Sequence, residues 1–288
     1  MQDIIKAPIM GICRHRLLCD GNGVRTLVAF YGCPLSCKYC LNQDCHNLPV
    51  DSDYYSSCNL LNKVRVDSIY FIATGGGITF GGGEPLLYAD FIEDFIGRAP
   101  VEWNFFCETS LNVQERNLKT VLNIVDKFIV DIKDISSDIY VPYTNMDNTL
   151  VLSNLEKVAQ EKLCDKFLIR IPNIPKYNSY QDVEKSIKFL QAMGYSRFEK
   201  FTYVTDIPNV RAIEENTLYN GCNSGKVTCE VLRQIRKAIA AYYNIPFVPN
   251  ICPEKICAVG TCPKCEQELR DLTNMVNNSP FNKLYMEQ

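Results

Sequence analysis

The stretch Thr26-Leu27-Val28-Ala29-Phe30-Tyr31-Gly32-Cys33-Pro34-Leu35-Ser36-Cys37-Lys38-Tyr39-Cys40 joins an apolar run to three cysteines spaced C-x3-C-x2-C. Short runs rich in Val, Ile, Phe and Leu read as buried strands. The run at 26–30 is followed by five more, at 77–80, 103–107, 127–132, 166–171 and 197–203. Helical patterns lie between them. The clearest run from Thr149 to Lys162, with Leu152, Leu155, Val158 and Ala159 apolar, and from Gln181 to Met193, with Val183, Ile187 and Leu190 apolar. Strand and helix alternate about six times, which predicts a parallel sheet with right-handed crossovers. The expected fold class is α/β, a partial (β/α)6 TIM-type barrel, with a small C-terminal cysteine-rich extension. The strand ends carry the polar residues: the cysteine loop, then Gly81-Gly82-Gly83-Glu84-Pro85, Glu108-Thr109-Ser110, Asp131 and Lys133, Arg170, and Tyr203. In α/β folds the carboxyl-end rim is where sites are built, so one mouth should collect them all.

Cys33, Cys37 and Cys40 are one short of the four ligands that normally close an iron-sulfur cluster. A metal corner left free by the protein can bind and react with a small molecule, so the spacing points to chemistry. The competing reading is a structural zinc knuckle completed by Cys45 or His46. A second group, Cys252, Cys257, Cys262 and Cys265, supplies four thiols, enough to close an auxiliary 4Fe-4S cluster or a zinc site. Ligand softness and metal availability favour iron-sulfur there, and Cys222 or Cys229 could replace one ligand. Cys13, Cys19, Cys45, Cys58, Cys107, Cys164, Cys222 and Cys229 lack tight spacing and read as small buried hydrophobes.

Hydrophobic residues make up 47% of the 288 positions, which excludes a disordered or low-complexity chain. The formal charge is -3 with both signs interspersed, so nucleic acid is not an expected partner. No stretch approaches the roughly 20 apolar residues of a membrane span, and 4–10 is too interrupted for a signal peptide. A cytoplasmic location without a membrane partner is expected. The alternation stops near residue 206, which divides the chain into a barrel at 1–205 and an extension at 206–288 containing a helix from Cys229 to Tyr243.

Several further segments surround the thiol triplet: Asp20-Gly21-Asn22-Gly23-Val24-Arg25 upstream, then Gly75-Gly76-Gly77-Ile78-Thr79-Phe80-Gly81-Gly82-Gly83-Glu84-Pro85, Val130-Asp131-Ile132-Lys133, Tyr143-Thr144 and Ile169-Arg170-Ile171-Pro172. In this order they resemble the radical S-adenosylmethionine activating enzymes of glycyl radical enzymes, over about residues 18 to 205. The resemblance implies a 4Fe-4S cluster on Cys33, Cys37 and Cys40 that binds S-adenosylmethionine and, on one-electron reduction, splits it to a 5′-deoxyadenosyl radical. It places the cofactor's methionine amino group at Gly82, Gly83 and Glu84 and its adenine near Tyr39. Glu108, Thr109 and Asp131 offer hard oxygens that suit a small cation or hydrogen bonds to its ribose and carboxylate, with Lys133 and Arg170 balancing anionic charge. It also implies a one-electron reductant such as flavodoxin or ferredoxin, an anaerobic or facultative source, and a partner glycyl radical enzyme.

The sequence departs from that pattern where Leu41 replaces a usual His, Gly81 a usual Ser and Asn22 a usual Pro. Phe201-Thr202-Tyr203-Val204 also stands where pyruvate formate-lyase activators carry Leu-Pro-Tyr-His. The lost His and the cysteine-rich tail support an alternative, a radical enzyme acting on its own peptide or small metabolite. A third reading is a metal scaffold without catalysis.

Overall fold

The computed structural model describes residues 5–17, 19–49, 54–203, 225–250 and 262–279. Its strands are β1 (Lys6–Leu17), β2 (Val24–Phe30), β3 (Tyr54–Ser56), β4 (Gly77–Gly82), β5 (Asn104–Thr109), β6 (Lys127–Asp131), β7 (Phe167–Asn173) and β8 (Phe198–Thr202). Its helices are α1 (Ser57–Val64), α2 (Ser68–Thr74), α3 (Ala89–Ile96), α4 (Glu115–Leu122), α5 (Ser137–Thr144), α6 (Thr149–Gln160), α7 (Tyr180–Ala192), α8 (Gly225–Tyr242) and α9 (Pro263–Asn277). One sheet runs in the order β3-β1-β2-β4-β5-β6-β7-β8. The fold is α/β, a partial (β/α)6 TIM-type barrel: β2, β4, β5, β6, β7 and β8 are the six apolar runs, each within a few residues of its expected place.

β5, β6, β7 and β8 pair in parallel, and the register sets Asp131 beside Arg170 and Arg170 beside Glu199. The register therefore lines charged side chains along the carboxyl ends. The core under this rim is aromatic and aliphatic, with Phe80 packed against Phe30, Phe95 and Phe105 at ring separations of 5.7 to 6.3 Å. Two strands were not expected. β1 hides from a hydrophobicity reading because Arg14, His15 and Arg16 interrupt it, and β3, only three residues long, pairs antiparallel with it.

The chain divides into two compact units, each assembled from separated stretches. The first comprises Met1–Cys13, Leu27–Leu61 and Ile78–Ile207; the second comprises Arg14–Thr26, Asn62–Gly77 and Pro208–Gln288. The second unit is stabilised by a buried polar network. Arg14 grips Asp67 with two bonds of 2.7 and 2.8 Å and reaches Glu266 at 2.6 Å, while His15 Nε2 lies 2.8 Å from Asp67 Oδ1. Nearby in the same unit, buried Arg236 donates to Tyr70 Oη at 2.6 Å and to Glu268 at 3.1 Å.

Burial works against the Asp67 charge, but the Arg14 and His15 bonds outweigh it and hold its pKa below the ordinary 3.8. A carboxyl depressed in the folded state contributes stability that is complete above pH 3.8 and is lost as the pH falls through the lower folded value. Asp67→Asn should therefore flatten the acid limb of a urea-unfolding series collected below that pH. An unchanged slope would place the acid sensitivity elsewhere.

Candidate active site

β2 delivers the chain to Gly32, whose φ of +87° suits a residue without a side chain, and the thiol loop begins there. The loop is fastened by backbone bonds: Gly32 N to Cys45 O at 2.7 Å, Ser36 N to Thr144 O at 2.8 Å and Lys38 N to Tyr143 O at 3.2 Å. The last carbonyls of a helix have no partner within it. α5 ends at Thr144 with Asn145 left-handed behind it, and the thiol loop fills the vacancies at Tyr143 and Thr144. Tyr143-Thr144 and the cysteine triplet are therefore parts of one hydrogen-bonded unit.

Cys33, Cys37 and Cys40 are half-buried and line a cleft of about 530 Å³. Burial pushes the Cys33 thiol up to about 12, with the charges of Glu84, Cys45 and Cys37 adding to the effect. Burial likewise raises Cys37 to about 11, where Lys133 opposes the shift and Cys40 and Asp131 reinforce it. Thiols that repel one another as anions become good ligands once a metal supplies the compensating charge. Among the described residues no three His, Cys, Asp or Glu side chains close on a single-ion site. A four-iron cluster binds each thiolate at a different iron corner, so three half-buried thiols lining one cleft can hold it. The donor set thus fits an iron-sulfur cluster on the triplet.

The next strand end is built for close approach. Gly83 N donates to Phe30 O at 2.9 Å and Glu84 N to Gly32 O at 2.7 Å, so β4 finishes against the start of the thiol loop. A side chain at Gly82, whose φ is +93°, would sit 2.8 Å from Ala29 Cβ, and one at Gly83 only 2.1 Å from Gly32 O. Asn42 Nδ2 closes the ring by donating to Gly82 O at 2.9 Å.

Glu84 is fully buried and its carboxylate accepts four bonds. Leu86 N (3.2 Å) and Thr109 Oγ1 (2.6 Å) reach Oε1; Ser110 N (2.9 Å) and Ser110 Oγ (2.6 Å) reach Oε2. These fill its accepting sites. Burial raises its pKa and the four donors oppose that rise. Glu84 and Thr109 therefore tie the end of β4 to the end of β5 and hold the glycine backbone in place.

Across the cleft, Lys133 Nζ donates to Asp131 Oδ2 at 2.6 Å and to Tyr203 Oη at 2.9 Å. Burial works against the Lys133 charge, but Asp131, Tyr203 and Cys37 overcome it and hold the pKa well above its ordinary value. Asp131 Oδ1 is buried without a hydrogen-bond partner, an acceptor awaiting a donor. Arg170 spans Glu108 (3.1 Å) and Glu199 (3.0 Å), so its charge is already met by two carboxylates. Tyr39 lines the same cleft and donates to Pro175 O at 3.3 Å.

The cleft thus gathers Cys33, Cys37, Cys40, Tyr39, Gly82, Gly83, Glu84, Glu108, Thr109, Asp131, Lys133 and Arg170. Reading the sequence did not single out Asn42 or Glu199. Neither lies in a motif, and only the Arg170–Glu199 register reveals the latter. Of the second cysteine group, Cys252 and Cys257 lie outside the described residues, as does Cys222. Cys262 caps the start of α9, and Cys265 Sγ stands 3.8 Å from Cys229 Sγ on α8. Among the other cysteines Cys45 and Cys107 are buried as expected, whereas Cys13 and Cys164 are half-buried and Cys58 is exposed.

The family described as a 4Fe-4S single cluster domain matches residues 19–138. The pyruvate formate-lyase-activating enzyme of Staphylococcus aureus is 28% identical over 193 residues, covering 64% of this chain and 76% of the relative. Among solved structures, a domain of the pyruvate-formate lyase-activating enzyme from Bacteroides vulgatus superposes at TM-score 0.34, with 21% identity over 44% of this chain and 99% of that one. Streptococcus suis SuiB bound to precursor peptide SuiA superposes at 0.49, with 14% identity over 78% of this chain and 48% of that one. The thiol triplet and the ordered motifs around it are thus similar to a 4Fe-4S cluster family over residues 19–138, and the site's residues fit a 4Fe-4S cluster and S-adenosylmethionine as cofactors. The chain resembles the radical S-adenosylmethionine activating enzymes, of which the pyruvate formate-lyase-activating enzyme is the relative matched. No helix among the described residues is long and apolar enough to cross a membrane.

Proposed function

We propose that this chain is a radical S-adenosylmethionine enzyme that generates a glycyl radical on a partner enzyme. The reading is supported by its likeness to the Staphylococcus aureus activating enzyme. Its cofactor half rests on one observation, the unpartnered Asp131 Oδ1 in a cleft that also holds the three thiols. Cys33, Cys37 and Cys40 would hold the cluster. When bound, the cluster and S-adenosylmethionine supply, on one-electron reduction, a 5′-deoxyadenosyl radical. The chain's own residues position and shield. Asp131 Oδ1 offers an acceptor for a cofactor hydroxyl or ammonium, and Lys133 neutralises the neighbouring oxygen. Glu84 fixes the glycine backbone that would hold the methionine end. Leu35, Tyr39, Ile129 and Phe201 give the cleft apolar walls that limit water.

The reading includes a second metal in the C-terminal group. Its support is the 3.8 Å approach of Cys229 to Cys265 and the Cys262 thiol, whose pKa is lowered chiefly by the backbone N–H of Cys265. This would bring Cys229 into the ligand set, and a site closed by four thiolates would relay electrons or hold the tail folded.

The test is anaerobic reconstitution, metal counting and coexpression with a glycyl radical enzyme. About four irons would mean one cluster and about eight would mean two, while zinc with four irons would assign zinc to the tail. A glycine-centred doublet in the partner's paramagnetic resonance spectrum is expected. Formation of 5′-deoxyadenosine with a changed peptide mass and no such doublet would replace activation by peptide modification.

A further inference from the structure

Four tyrosines, far apart in sequence, pack together beside the thiol loop. Tyr39 and Tyr203 line the cleft, Tyr143 is wholly buried and Tyr177 is half-buried. Ring centroids lie 6.0 Å apart for Tyr39–Tyr143 and for Tyr39–Tyr177, 6.4 Å for Tyr39–Tyr203, 5.1 Å for Tyr143–Tyr177 and 6.2 Å for Tyr143–Tyr203. Every ring touches at least two others.

Packing alone does not account for the hydroxyls. The Tyr143 hydroxyl is buried and makes no hydrogen bond of good geometry, a cost that phenylalanine would avoid at equal shape. Burial, and secondarily the Tyr203 charge, raise its pKa, so it stays a neutral phenol. A neutral phenol has one further property: its O–H bond is weaker than the C–H bond that a primary carbon radical forms on taking hydrogen. Phenol rings in contact also pass an electron readily from one to the next. The cluster therefore gives a cleft that makes a carbon radical a ready hydrogen donor in its wall and a route leading to a half-exposed ring.

We propose that Tyr39, Tyr203, Tyr143 and Tyr177 form a redox relay that quenches the radical when no substrate is present and carries the oxidising equivalent away from the thiol loop. The relay rests on the radical chemistry assigned above. In the quenching step a cleft-lining tyrosine O–H bond breaks homolytically and a C5′–H bond forms, giving 5′-deoxyadenosine and a tyrosyl radical. That radical takes an electron and a proton from the next tyrosine. The last one is restored by one electron from the same flavodoxin- or ferredoxin-type reductant and one proton from solvent.

The experiment uses the reconstituted enzyme without partner, reduced in deuterium oxide with S-adenosylmethionine. Phenolic hydrogens exchange with solvent, so the 5′-deoxyadenosine formed should carry one deuterium. Freeze-quenched samples should show a tyrosyl signal that narrows when the protein is grown on ring-deuterated tyrosine. The double variant Tyr39→Phe/Tyr203→Phe should lose the solvent label several-fold per deoxyadenosine made. Tyr143→Phe, with thermal stability equal to or above the parent, should keep the label, while Tyr143→Phe/Tyr177→Phe, which leaves Tyr39 and Tyr203 no onward ring, should lose most of the delocalised tyrosyl signal and inactivate sooner over repeated uncoupled turnovers. Deoxyadenosine without solvent deuterium, or a label that persists in the double variant and so comes from a thiol, would overturn the relay while leaving cofactor cleavage standing. Failure to form deoxyadenosine at all would overturn the radical reading itself, and the relay with it.

Discussion

Cys37→Ala is expected to leave the fold standing and abolish the chemistry. The loop around it is fixed by the amides of Ser36 and Lys38, not by the thiol, so thermal stability should change by about 1 kcal/mol or less. Iron should fall from about four per chain toward none, because two thiolates do not retain a four-iron cluster. Production of 5′-deoxyadenosine should fall by more than about a hundredfold, since losing a residue that merely supports a metal ligand already costs roughly 10- to 100-fold. Cys45→Ala is the matched control. Cys45 is buried beside the loop, and its thiol would be the fourth ligand of a zinc knuckle. Metal retained in Cys45→Ala and lost in Cys37→Ala supports the three-thiol cluster. Equal loss in both would defeat it.

Gly83→Ala should be the most damaging small substitution at the site. The added carbon would stand 2.1 Å from Gly32 O, 2.9 Å from Gly32 C and 3.0 Å from Phe30 O, all backbone atoms that cannot rotate away. β2 and β4 would have to part, breaking the bonds from Gly83 N to Phe30 O and from Glu84 N to Gly32 O. Overpacking of this severity costs roughly 3 kcal/mol or more. At about 2–4 °C per kcal/mol for a chain of this size, the melting temperature should drop by roughly 10 °C. S-adenosylmethionine affinity, read by calorimetry on reconstituted protein, should fall further than the iron content. An unshifted melting curve would show that the strand ends have room that their geometry denies.

Much of this architecture was legible because a parallel sheet buried on both faces writes its strands as short apolar runs. β1 was not legible, since its polar residues Arg14 and His15 find their partner in Asp67, which only folding brings near, while Arg16 pairs with Asp20 four residues on. The cofactor-facing residues could be nominated because barrels build sites at strand ends, and the cleft does gather them. Their individual duties could not be read. Glu84 looks like a ligand on paper, yet Thr109, Ser110 and Leu86 occupy its oxygens. Arg170 looks ready to grip a carboxylate, yet the register of β7 and β8 sets Glu199 beside it. The tyrosine cluster was invisible for a simpler reason: its members lie at positions 39, 143, 177 and 203, with no period or motif to join them.

The grip of α5 on the thiol loop has a practical result for an enzyme whose metal is vulnerable to oxygen. Many small metal-binding domains unravel when stripped, because the metal itself organises their ligands. Here the cradle is shaped by peptide groups that remain when iron is gone. Oxygen damage would thus leave an intact receptacle, and repair becomes a matter of delivering iron and sulfide to a waiting mould instead of making the polypeptide anew.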